Sequence, residues 1–418
     1  MKTIAVLGTL DTKGMEHAFL ADCIRARGLQ ALLIDVGGQG EPQCRADITR
    51  EEVAAAGGVD LPDLRAKADR GAMVEAMAGA APALLARLAG EGRIHGVISL
   101  GGTGGTAIGT AAMRALPIGF PKVMVSTVAA GNVAPYLGVK DIVMVPSIVD
   151  VAGLNRFSRG VFRRAAGAIC GMVEANDGVR EETEAKPLIV ASMFGNTTTC
   201  VERARKAMEA AGYEVLVFHA VGSGGRTMES LIESGVVAGV LDITTTEWAD
   251  ELVGGVLNAG PTRLEAAARA GVPAIITPGC LDMVNFGAPE TIPAKFAGRT
   301  FYKHNPQVTL MRTNVNESAE LGQILAEKAN LSVGPVTVLM PLKGISVISQ
   351  EGKAFYDPAA DDALFGALRK NLRRDIPVVE LECDINAPEF ADACVAALLG
   401  HLKDRPAAVA PGSLAPTI

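Results

Sequence analysis

Short, mostly apolar runs recur along this chain, and many of them end in a loop rich in glycine, serine or threonine. Residues 4–7 run into Gly8. Phe19, Leu20, Cys23 and Ile24 then recur at helical spacing up to Gly28, and a second run, broken only by Asp35, follows at 31–36. Residues 97–100 and 123–125 repeat the pattern, with a helical segment at 107–116 between them. A run that is apolar at every position, rather than at alternate ones, belongs to a strand covered on both faces. Strands of that kind alternating with helices predict a parallel sheet between two helical layers.

The order is repeated downstream. Residues 188–191 read as a strand and 196–199 as a polar loop; Val201, Ala204, Met208 and Ala211 line one helix face before a further run at 215–218. Thr199 and Glu202 have the spacing of a capping box at the start of that helix. A glycine-rich loop follows the second strand of each half, Gly37-Gly38-Gln39-Gly40 and Gly222-Ser223-Gly224-Gly225. The expectation is an α/β protein of two Rossmann-like lobes with mainly parallel sheets and a ligand cleft between them. The lobes are placed at 1–180 and 181–403, divided within the acidic stretch 173–187; the proline-containing end, 404–418, is expected to be a disordered tail.

Charge narrows the partners. Lys and Arg number 39 against 46 Asp and Glu, a net charge of −7 without a basic cluster, so neither nucleic acid nor an anionic membrane is expected as a partner. The seven cysteines form no CxxC pair and no zinc spacing, which reads as reduced thiols in a cytoplasm.

Chemistry is expected at the strand ends, the edge of an open α/β sheet where ligands bind. Gly101, Gly102, Thr103, Gly104, Gly105 and Thr106 lie between a strand and a helix, where backbone N–H groups and hydroxyls suit a phosphate or carboxylate. The same loop fits the dinucleotide pattern, but Ser126-Thr127 stands where its ribose-binding acid belongs, and no Walker sequence is present. Asp11 and Lys13 end the first strand, the acid as a candidate magnesium ligand or catalytic group and the lysine as a phosphate partner. Asn196, Thr197 and Thr198 offer neutral donors in the second lobe, while Gly224, Gly225 and Arg226 suit an anion. Glu247 and Asp282, each beyond a strand end, are candidates for acid/base or metal work. Cys280 reads as a buried structural thiol without a companion base, His304-Asn305 as part of a polar loop, and Lys343 as a strand-terminal cation.

Taken as a set, Gly8-Thr-Leu-Asp-Thr-Lys-Gly14, the 99–106 loop, Phe194-Gly-Asn-Thr-Thr198, His304-Asn-Pro-Gln-Val-Thr-Leu-Met-Arg312, Pro341-Leu-Lys-Gly-Ile345 and Phe355-Tyr-Asp-Pro358 resemble one family. It is the family typified by the ATP-binding N-terminal region of the tomato mosaic virus resistance protein. The resemblance implies two α/β subdomains, ATP with Mg2+ as cofactor, and a homodimer. Plant members carry a further barrel-like domain absent from this chain, which implies a separate partner for any activity that needs it. On this basis the chain is expected to be an ATP-dependent enzyme of kinase or ligase type acting on a small carboxylated or phosphorylated metabolite. Two alternatives are a nucleotide-responsive protein-binding module without turnover, and a nucleotide-free isomerase or lyase for sugar-acid phosphates.

Overall fold

A computed structural model describes residues 1–67, 69–176 and 186–403, so the expected tail at 404–418 and most of the acidic boundary lie outside the described residues. The described residues form two compact units, 1–176 and 186–403.

In the first unit the five strands β1 (Thr3–Gly8), β2 (Gln30–Asp35), β3 (Gly96–Gly101), β4 (Lys122–Ser126) and β5 (Val143–Pro146) are all parallel, in the order β2-β1-β3-β4-β5. The helices are α1 (Leu10–Arg25), α2 (Arg50–Ala56), α3 (Leu61–Lys67), α4 (Arg70–Gly90), α5 (Thr103–Arg114), α6 (Ala134–Leu137) and α7 (Arg156–Ala175). The continuous apolar runs are explained by two cores. Ala5 and Leu7 face α2, α4 and α5, whereas Ile4 and Val6 face α1 and α7. Among the described residues only α4 is long and apolar enough to cross a membrane, and its Met77, Leu84, Leu85 and Leu88 are buried in the first of these cores.

The second unit contains β6 (Leu188–Met193), β7 (Glu214–His219), β8 (Val237–Thr244), β9 (Ala274–Gly279), β10 (Met283–Phe286), β11 (Phe301–Asn305), β12 (Val308–Arg312), β13 (Val336–Pro341) and β14 (Val378–Leu381). Six of them form a parallel sheet ordered β14-β13-β9-β8-β6-β7. Counted from its own first strand, that order runs 2-1-3-4-5-6, the first unit's topology plus one strand. Its helices are α8 (Thr198–Ala210), α9 (Ser223–Glu233), α10 (Glu247–Val253), α11 (Glu265–Ala270), α12 (Val315–Asn330), α13 (Pro358–Asn371) and α14 (Pro388–Lys403). The layering is also repeated: α8 and α14 cover one face, and α9 to α13 the other.

Two local expectations are corrected. Glu202 does not close a capping box with Thr199; the helix starts at Thr198, and Glu202 pairs with Arg205 one turn on, at 2.8 Å. His304 and Asn305 lie not in a loop but in edge strand β11 of a three-stranded antiparallel sheet, β10-β12-β11.

Candidate functional site

In the first sheet the strand order reverses at β1, whose neighbours are β2 and β3. Helix α1 leaves β1 on one face and α5 leaves β3 on the other, so their starting loops diverge at the same edge. That crevice is the topological switch point of the sheet.

The loop into α5 has a bare amino end. Gly102 is the N-cap and has no side chain to offer, and no acid lies in the first turn. Among the described residues no group accepts from the N–H of Thr103, Gly104 or Gly105, while the N–H of Thr106 is already bonded to the Gly102 carbonyl at 2.8 Å. Three convergent donors and the positive end of a helix dipole attract an anion. Thr103 is exposed there. Thr106 is not a ligand donor as expected: it is fully buried, its hydroxyl 2.8 Å from the Gly102 carbonyl and 2.7 Å from Ser126 Oγ. Gly101 is needed for the turn itself, because a Cβ there would lie 3.0 Å from Gly105 Cα.

Asp11 and Lys13 hold the neighbouring loops instead of facing a ligand. Asp11 Oδ2 accepts from the N–H groups of Gly38, Gln39 and Gly40 at 3.1, 3.1 and 3.3 Å, and Arg50 Nη1 lies 3.9 Å away. Its other oxygen is buried and has no hydrogen-bond partner, so the carboxylate is closed to bulk solvent. Lys13, at a break in the helical dihedrals of α1, donates to the Val151 carbonyl. Thr12 is exposed beside them, its hydroxyl 2.9 Å from that of the half-buried Thr9. Beneath them His17 is fully buried against Gly8, and burial lowers its pKa to about 4, so it is neutral.

The second unit shows what such a helix end accepts. Glu247 Oε1 takes the N–H groups of Gly222 and Gly225 at 2.7 and 3.1 Å, filling the amino end of α9 with one of the protein's own carboxylates. A Cβ on Gly225 would lie 2.1 Å from Glu247 Oε2, so only glycine permits this approach. The expected anion site at Gly224, Gly225 and Arg226 is therefore taken, and Arg226 is directed to the Asn258 carbonyl at 3.0 Å. Glu247 is not an available base either, since its second oxygen meets Arg263 Nε at 2.7 Å.

Arg263, which carries no signal in the sequence, is the centre of this network. It is 1% exposed and contacts Asp242 through two bonds of 2.6 Å and Glu229 at 3.0 Å. Burial works against its charge, but the three carboxylates raise its pKa; burial in turn raises that of Glu229. Asp250 is buried close by, bonded to the backbone and side-chain N–H of Asn285 at 2.6 and 2.7 Å, and burial pushes it up to about 7. Asp282 is fully buried with its Oδ2 on Ser346 at 2.7 Å, and burial raises it to about 6. Asp282 is thus closed to solvent rather than presented at a site.

Of the neutral donors, Thr197 is buried on Thr244 at 2.7 Å, Asn196 is half-buried with its amide 3.6 Å from Met283 Sδ, and Thr198 is exposed. Cys280 is buried in the left-handed region (φ 61°), its pKa raised well above the ordinary thiol value by burial; Lys343 is exposed and paired with Glu382 at 2.8 Å. No group of three His, Cys, Asp or Glu side chains among the described residues is placed to hold a metal.

Known proteins resemble the chain along both units. Residues 2–178 match the N-terminal domain, and 186–402 the C-terminal domain, of the uncharacterised protein family UPF0261. A UPF0261 protein of Clostridium tetani is 50% identical over 96% of this chain and 99% of its own length. One from Rhizobium meliloti is 48% identical over 95% and 98%. The ToMV resistance protein Tm-1 of Solanum lycopersicum is 43% identical over 79% of this chain, which spans 44% of that protein. Among solved structures, a UDP-N-acetylglucosamine 2-epimerase from Rickettsia bellii aligns over 66% of this chain and 78% of its own, at 10% identity and a TM-score of 0.23, too low for the likeness to carry an inference.

Proposed function

The chain belongs to the UPF0261 family, and we propose that it is a nucleotide-binding protein whose first unit takes the phosphates of ATP at the amino end of α5. The observation that carries this reading is the trio of unpaired N–H groups at Thr103, Gly104 and Gly105, at the switch point of the sheet. The corresponding end of α9, filled by Glu247, supports the choice of an anion. ATP rather than another phosphate rests on the family resemblance. Mg2+ would then be held chiefly by phosphate oxygens and water, as is usual for this ion.

Turnover on a carboxylated or phosphorylated metabolite, as in a kinase or ligase, needs an acid that is free to act. Glu247 has both oxygens bonded inside the protein, and Asp11 and Asp282 are each bonded through one oxygen while the other is buried away from solvent without a partner. That observation favours the second reading, in which ATP is bound without being consumed and controls recognition of a partner.

Thermal unfolding with ATP, ADP, inorganic phosphate or a sugar-acid phosphate, with and without Mg2+, tests the proposal. Ligand at about 100 times its dissociation constant adds about 2.7 kcal/mol, or roughly 5–11 °C for a unit of this size. Thr103→Asp should abolish an ATP shift by placing a resident carboxylate on the open N–H groups, without lowering the ligand-free transition. An ATP shift that survives in this variant overturns the site. A shift with the sugar-acid phosphate alone transfers the site to the nucleotide-free isomerase or lyase reading, and ADP formation in a single-turnover assay would overturn binding without turnover.

A further inference from the structure

The small antiparallel sheet carries a groove. Its floor is β11 and β12, paired with Lys303 opposite Thr309 and Phe301 opposite Met311. Alternate residues of a strand share a face, so Phe301 and Lys303 lie on one side and Tyr302 on the other, where its ring meets Phe355 with centroids 6.3 Å apart. The short turns Pro289–Thr291 and Ala294–Phe296 form the opposite wall. Between them is a space of about 490 Å³, lined by Ile292, Pro293, Phe296 and Phe301, with Lys303 and Thr309 as its polar members. This lies within the range usual for small-molecule sites, roughly 300–1,000 Å³.

Two features of the lining point to an occupant. Thr309 is 3% exposed, yet its hydroxyl has no hydrogen-bond partner. A buried hydroxyl without a partner is costly, so it marks a place where a polar atom belongs. Lys303 is exposed and has no carboxylate partner among the described residues. Residues opposite one another on an antiparallel pair have Cβ atoms about 5 Å apart, so the ammonium and the hydroxyl belong to the same end of the groove. The rest of the lining is apolar. Lys295, with its Nζ 4.7 Å from the centroid of the Phe296 ring, adds a second positive charge beside it.

We propose that this groove is a binding site for an amphipathic carboxylate, a medium-chain or aryl-substituted acid. Its carboxylate is held between Lys303 and the Thr309 hydroxyl, and its apolar body lies along Phe301, Phe296 and Ile292. The ammonium supplies a charge-assisted bond, and the hydroxyl donates to the second carboxylate oxygen. The apolar walls reject a ligand that is polar throughout. This site is independent of the nucleotide reading.

Calorimetric titration with octanoate, and with octan-1-ol as the neutral analogue, tests the assignment on the full chain. Octanoate should bind once per chain and at least about tenfold more tightly than octan-1-ol. Lys303→Ala should weaken octanoate about tenfold and bring it level with the alcohol, Thr309→Val should weaken it about fivefold, and Tyr302→Phe, on the other face of β11, should leave it unchanged. Thermal unfolding of each variant confirms that it is folded. Absence of octanoate binding at millimolar concentration, equal affinity for the alcohol, or unchanged affinity in folded Lys303→Ala would each overturn the proposal. Unchanged affinity in Thr309→Val would overturn the part given to the hydroxyl.

Discussion

Replacing Arg263 by Met keeps most of the side-chain volume and removes the charge that holds the second unit's buried acids together. Arg263 bonds Asp242 twice at 2.6 Å, Glu247 at 2.7 Å and Glu229 at 3.0 Å. Breaking a buried pair by removing one partner costs about 3–5 kcal/mol, because the other charge stays buried and uncompensated. For a unit of this size that is a fall of roughly 6–20 °C in unfolding temperature. The loss should also depend on pH. Without the guanidinium, the burial that already raises the Glu229 carboxyl is no longer opposed by the opposite charge, so the folded state binds more protons than the unfolded chain above about pH 4. Stability of the variant then falls as pH rises, and the deficit is smaller at pH 5 than at pH 8. Adding Glu247→Gln, which can still accept from Gly222 and Gly225, should recover part of it. Urea unfolding followed by circular dichroism at both pH values provides the measurement. A loss under about 1 kcal/mol, or an equal loss at both, would falsify the claim that Arg263 neutralises these carboxylates.

The two units should respond to pH in opposite senses. Asp250, raised to about 7, stabilises the second unit most below its unfolded pKa of about 4, and that contribution is lost as pH rises through 7; Asp250→Asn should flatten the slope in urea titrations at pH 4.5 and 7.5. His17, lowered to about 4, favours the first unit fully above about 6.5, a contribution lost as pH falls towards 4, and its ring resonances should show no titration between pH 5.5 and 8 in NMR spectra. Cys170, Cys200, Cys280 and Cys394 are buried with raised pKa values and should react with a thiol reagent only on unfolding, whereas the half-buried Cys23, Cys44 and Cys383 should react in the native protein.

The parallel sheets were legible because a strand covered on both faces must be apolar throughout, as 4–7 and 188–191 are. The bare start of α5 was legible too, since four glycines and two threonines between strand and helix leave few local ways to satisfy its N–H groups. What the sequence hid lies in distant pairings. Nothing near Gly225 reveals that Glu247, 22 positions on, fills its N–H, and nothing near Arg263 reveals three acids from different elements. Thr199 and Glu202 had the right spacing for a cap, but the helix begins two residues earlier than that cap would require and Arg205 offers Glu202 a charged partner. β11 was missed because all five of its residues are exposed, so burial imposes no alternation on them.

Among the described residues each hydrophobic cluster draws on one unit alone, two of them on 1–176 and three on 186–403. During synthesis the first unit therefore has every residue of its core once the chain has passed Val173 and cleared the ribosome. At roughly 5–20 residues per second the rest of the chain takes about 10–50 s to appear, far longer than most small domains need to fold. The apolar runs of its five strands are thus enclosed before the apolar strands of the second sheet emerge. Two sheets of the same strand order on one chain would otherwise be well matched to pair wrongly with each other.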